Sequence, residues 1–218
     1  MNYKFVFILM FSVSSLFSQT VTVNPVFGNS NLQLDHWYKL KSGDSVKIET
    51  LSFYISGIEL LNNGTSVWKE KNSFHLIEAS QSNAIKIPSG IKYDHIKFNL
   101  GIDSITNVSG AMGGDLDPTK GMYWTWQSGY INLKLEGKSN LCATKKNEFQ
   151  FHLGGYQNPF NSLQTIELSV KENQRIKIVL DMEKVFAQLN LSKQNHVMMP
   201  CKEAMIAAKN IAKLFSVQ

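Results

Sequence analysis

Apolar and polar residues alternate with a period of two through much of this chain. Ile131, Leu133 and Leu135 interleave with Tyr130, Asn132, Lys134 and Glu136; Phe149, Phe151 and Leu153 with Glu148, Gln150 and His152; Ile166, Leu168 and Val170 with Glu167, Ser169 and Lys171. Successive side chains of a strand point to opposite faces, so each run predicts a strand with one face in a core. Further strands are predicted over residues 32–40, 45–61, 73–77, 93–101 and 175–181, with Gly57 placed where the longest changes face, as at a bulge. Turn residues fall between them at Ser42-Gly43-Asp44, Asn62-Asn63-Gly64, Pro88-Ser89-Gly90 and Gly154-Gly155. The fold class this predicts is all-β, an antiparallel β-sandwich.

Three stretches depart from the pattern. Residues 107–120 form a long Gly/Asp loop, and loops of that length in compact domains often carry function. After Pro200, Met205, Ala208, Ala212 and Phe215 recur at helical spacing, which predicts a C-terminal amphipathic helix over 202–215 packed on the sandwich, and a shorter helix is expected near 183–189. At the other end, Lys4 precedes an apolar run from Phe5 to Phe11 and then small residues up to Ser18. That is the plan of a secretory signal peptide over residues 1–18, cleaved near Ser18–Gln19. No repeat or linker divides the remainder, so residues 19–218 are expected to be one periplasmic or secreted domain, with no stable membrane insertion after cleavage.

Composition narrows the function. The 218 residues are 43% hydrophobic, enough for a substantial core, and the net charge of +5 is scattered without a run of five cations, which argues against nucleic acid as a partner. The patterns G-x-S-x-G, G-x-x-x-x-G-K-[ST], H-E-x-x-H and G-x-G-x-x-G are all absent, and no nucleophile has an evident base, so the chain is not expected to be an enzyme. Asp115 and Asp117 lack the ligand series of a calcium loop and read as turn residues. Cys142 and Cys201 are expected to pair in an oxidising compartment, closing a loop of about 60 residues. Among five histidines, His152 alternates away from Phe151 and Leu153 and precedes two glycines, while His75 stands between Phe74 and Leu76. Two imidazoles on neighbouring strands suit Cu(I), and Met112, Met122, Met198 and Met199 are candidate thioether donors or core fillers.

The run Gly121-Met122-Tyr123-Trp124-Thr125-Trp126-Gln127-Ser128-Gly129-Tyr130, followed by Phe149-Gln150-Phe151-His152-Leu153-Gly154-Gly155, resembles the signature of the MbnP-like family of exported copper-binding proteins. Leu51–Ser56, Phe74–Glu78 and Val197-Met198-Met199-Pro200 are similar to further segments of that family. The resemblance, and not composition or periodicity, implies copper uptake or handling. It implies Cu(I) held by two histidines, here His75 and His152, with an oxidised tryptophan, for which Trp124 and Trp68 are the candidates, and a dihaem, peroxidase-like maturation partner. The alternative is a metal-free extracytoplasmic binding module whose Trp and Tyr side chains stack on a glycan or peptide.

Overall fold

In the computed structural model, which describes residues 18–171 and 175–218, one long strand organises the molecule. The strands that build the core and the site are β1 Ser18–Phe27, β2 Ser45–Asn62, β3 Thr65–Lys69, β4 Phe74–Glu78, β5 Ala84–Pro88, β6 His95–Leu100, β7 Tyr123–Trp124, β8 Gly129–Ser139, β9 Glu148–Gly154, β10 Gln164–Ser169, β11 Ile176–Asp181, β12 His196–Val197 and β13 Phe215–Val217. Helices α1 Ser104–Val108, α2 Met182–Gln188 and α3 Lys202–Ala212 join them. The larger sheet runs β10-β6-β2-β8-β9-β12, with β3 and β4 also paired to β2 and β7 to β8. The smaller runs β13-β11-β1, with β5 also on β1.

The period-two pattern explains the main core. Phe53, Ile55, Leu133, Leu135, Phe149, Phe151 and Leu153 from the larger sheet pack with Val21, Val23, Ile85, Ile87, Ile176, Ile178 and Leu180 from the smaller. Each such side chain removed from water contributes about 1.5–3 kcal/mol, so the pairing of faces is strongly specified. Gly57 sits at φ +61°, where the β2–β6 register slips, as the change of face in the sequence requires.

Several expectations are corrected. Both sheets are mixed, because β1 pairs with β11 in parallel and β9 with β12 in parallel. Of residues 32–40 only Trp37–Lys39 forms a strand, and β1 and β5 had no counterpart in the sequence reading. The C-terminal helix is present but ends at Ala212, burying Ala204, Ala207, Ala208 and Ile211; Phe215 instead opens β13 opposite Leu180 and places its ring 5.7 Å from Phe53. The short helix is α2. The long loop is ordered by turns: Asp117 accepts a hydrogen bond from the Thr119 N–H, and Asp115 accepts from the Leu76 N–H and from Lys120. The expected leader lies mostly outside the described residues.

Candidate metal centre

The larger sheet is covered on its outer side too. Tyr54, Leu76, Ile102, Leu116, Met122, Trp124, Tyr130 and Ile131 form a second apolar cluster there. It is held by polar staples buried beneath the loop. The Asn107 carboxamide donates to the Ile102 and Asp103 carbonyls and accepts from the Tyr130 N–H at 2.8 Å. The Tyr130 hydroxyl donates to the Leu116 carbonyl and accepts from the Met112 N–H, and the Tyr54 hydroxyl donates to the Asp115 carbonyl. These bonds fix the β7–β8 hairpin and with it Trp124, whose six-membered ring lies over Gly154, so close that a Cβ there would stand 2.6 Å from Cζ3.

Beside Trp124 opens a cleft of about 750 Å³ lined by Tyr123, Trp126, Ile131, His152, Gln194, His196, Met198, Met199, Cys201 and Glu203 among others. Its chemistry centres on His152. This residue pairs with Lys134 across β8 and shares the outer face with Glu136, whose Oε1 lies 2.7 Å from His152 Nε2. An ionised carboxylate only accepts, so Nε2 carries the ring proton and Nδ1 carries the lone pair. Only 8% of the side chain is exposed, and Nδ1 is buried with no hydrogen-bond partner among the described residues. Burial pushes the His152 pKa below its ordinary value of 6.5, against the pull of Glu136, which keeps the ring neutral at neutral pH.

A buried acceptor without a partner costs about 1–3 kcal/mol. A histidine whose other nitrogen donates to a carboxylate is also the usual arrangement of a metal-ligating imidazole, since the carboxylate sets the tautomer and raises ligand basicity. His152 therefore fits a metal-binding role on an observation of its own surroundings. The neighbouring thioethers and indole favour a soft ion. No group of three His, Cys, Asp or Glu side chains able to hold a metal ion occurs among the described residues. A second cleft of about 480 Å³, lined by Leu40, Phe186, Leu189 and Leu191 with flanking charges, offers no imidazole or sulfur.

The four residues expected at the site part company. His152 and Trp124 line the same cleft. His75 does not join them: it pairs with Ile55 on β2, while His152 reaches β2 through Lys134 at Ser52. The two histidines are thus three strand spacings apart, about 14 Å, and the odd offset between Ile55 and Ser52 puts them on opposite faces. The physical reason that sequence missed this is that both faces of the sheet are covered, so alternation separates two faces without saying which one a ligand reaches. His75 Nε2 instead bonds Glu70 Oε2 at 2.7 Å. Trp68, on β3 opposite Leu60, packs on the main core away from the cleft. The expected disulfide is absent: both cysteines are free, Cys142 buried in the core and Cys201 lining the cleft with Sγ accepting from the Ala204 N–H. Sequence reasoning passed over His196 and the cleft role of Cys201. The signal available was the density of soft donors, His196, Met198, Met199 and Cys201, within six residues.

Comparison with known proteins bears on this geometry. No curated protein matches the chain at a significant level. A solved structure, MbnP from Methylosinus trichosporium, has a similar fold with a TM-score of 0.57 at 13% identity, covering 81% of this chain and 79% of that one. The MbnP family model matches residues 17–200, which include β1 to β12 and every cleft residue up to Met199. By that match over most of its length, the chain belongs to the MbnP family, a family associated with copper.

Proposed function

We propose that this protein is an exported, non-enzymatic Cu(I)-binding protein for copper uptake or handling, and that it holds the ion at His152. The observation that carries the reading is the orphaned, buried Nδ1 of a histidine whose Nε2 is already engaged by Glu136. Family membership supports the metal, and the apolar wall of Trp124 and Ile131 supports a site that screens a soft ion from water. Of the two tryptophans, Trp124 is the one at the cleft, so it is the residue on which a dihaem maturation partner would act. His75 contributes no donor to this site.

The test is anaerobic loading of the mature chain with Cu(I) and measurement of bound copper. Wild type and His75→Ala are expected to bind stoichiometrically and His152→Ala to lose the metal; equal copper in wild type and His152→Ala overturns the reading. Mass spectrometry of the Trp124 peptide from native-host protein checks for kynurenine. A second reading has its own observation: Trp126, 61% exposed at the cleft mouth and 5.7 Å from Trp124, is a stacking surface for a glycan or peptide. Sugar binding by metal-free protein that is lost in Trp126→Ala favours that reading.

A further inference from the structure

The second cleft lies between α2, with the segment that follows it, and the turn over residues 40–44 that leads into β2. Hydrogen bonds close that turn, the Leu40 N–H donating to the Asp44 carbonyl at 2.8 Å and the Gly43 N–H to the Leu40 carbonyl at 2.9 Å, so this wall is preformed. The floor is continuous with the main core. Phe186 and Leu191 are buried in it, and Leu40, Leu141 and Leu189 pack against it half-buried. At about 480 Å³, the cleft has the size and the apolar lining of a small-molecule site.

Charge and apolar surface are separated along α2. Glu183 and Lys184 stand in its first turn, and Lys41 reaches Glu183 from the facing turn at 3.8 Å. Lys184 lies 3.6 Å from Asp181, which caps the helix. The Lys41 and Lys184 side chains are 87% and 65% exposed, and exposed pairs at such separations contribute little, so both ammonium groups can turn to a ligand. Glu183 and Asp44 line the cleft with the opposite sign, which balances the two lysines. Beyond Phe186 the lining continues to Leu189 and Leu191, where the Ser192 hydroxyl donates to the Asn190 side chain at 2.8 Å. Polar groups that satisfy each other leave this stretch better suited to an alkyl chain than to a peptide, whose backbone would need partners.

We infer that this cleft binds a zwitterionic single-chain lipid. The alkyl chain lies over Phe186, Leu189 and Leu191; the head group sets its anion at Lys41 and Lys184 and its ammonium at Glu183 and Asp44. A lining that carries two cations and two carboxylates complements a head group of both signs, whereas a purely anionic one would meet the carboxylates as well as the lysines. The site shares no residue with the cleft at His152 and does not depend on copper.

The experiment is calorimetric titration of the mature chain with lauroyl lysophosphatidylethanolamine below its micellar concentration, beside the lysophosphatidylglycerol of the same chain and dodecyl maltoside, with backbone NMR shifts to locate the contact. The zwitterion is expected to bind about tenfold or more tightly than the other two, with shifts over residues 183–192. Ala187→Trp fills the cleft from an exposed position and should abolish binding, and Lys41→Glu/Lys184→Glu should weaken it about tenfold or more. Both variants should keep the wild-type circular dichroism and copper content. The inference is overturned if wild type does not bind the zwitterion, if either comparison lipid binds as tightly, if either variant binds as wild type, or if the shifts fall at Trp124 instead. Loss of copper binding in His152→Ala together with normal lipid binding separates the two sites.

Discussion

Gly154→Ala probes the wall of the cleft with one carbon atom. Gly154 ends β9 and needs no unusual backbone angle; it is glycine because of what lies over it. A Cβ there would stand 2.6 Å from Trp124 Cζ3, 2.8 Å from Cη2 and 2.8 Å from the Tyr130 carbonyl oxygen. Carbon atoms rest about 3.5–4.0 Å apart, so the added methyl overlaps the indole carbons by about 1 Å and crowds the carbonyl oxygen on its other side. The carbonyl cannot retreat without disturbing β8, and the indole is packed among Tyr130, Ile131 and Met122. Overpacking of this kind costs about 1–3 kcal/mol. At about 2–4 °C per kcal/mol for a domain of this size, the melting temperature should fall by about 2–12 °C. Trp124, displaced toward water, should shift the tryptophan emission to the red, and Cu(I) affinity should weaken with it. Gly113→Ala is the control, because nothing lies within 4 Å of its Cβ position and its φ is −93°. The reasoning is refuted if Gly154→Ala melts with wild type, or if both variants lose stability equally.

The same geometry predicts other outcomes. Glu136→Gln keeps the hydrogen-bond shape but not the charge on His152 Nε2, and copper affinity measured by competition should fall about 10- to 100-fold with little change in melting temperature. For the apo protein, His152 titrates below 6.5 when folded and near 6.5 when unfolded, so as pH drops through about 6.5 the unfolded chain takes up the proton first. Stability should therefore decline below that pH until the folded pKa is reached, and chemical denaturation of His152→Gln should show a flatter pH profile. Both cysteines should titrate as thiols in denatured, unreduced protein, and a reductant should leave the melt unchanged; finding no thiols would contradict the placement of Cys201.

How legible the molecule was in its sequence depends on which physical signal each part left. The strands of the larger sheet were readable because one of their faces enters a single core, as with Leu133, Leu135, Phe151 and Leu153. β1 was obscured by its position directly after the leader-like run, although Val21 and Val23 alternate with Thr20 and Thr22. Phe215 extended the helical stripe on paper, but the Phe-Ser-Val ending pairs as a strand with β11, since strand pairing on an open edge outweighs a marginal last turn. Of the residues that line the cleft, His152 and Trp124 stood out in the sequence because they fall in the two runs that carry the family resemblance, Gly121–Tyr130 and Phe149–Gly155. The pairing of His152 with His75 was not decided by local pattern at all. It depended on strand order and on the parity of two registers through β2, which are properties of long-range pairing. The alternation did not single out His196 either, since a parallel two-residue strand leaves no periodic trace, whereas Met198 was named only for its thioether.

Copper-edge anomalous diffraction from crystals of the Cu(I)-loaded protein locates the ion without recourse to variants. A single strong peak about 2 Å from His152 Nδ1, with Glu136 still on Nε2, is the predicted result. A peak at His75, or copper placed with His152 Nδ1 left unligated, would contradict it.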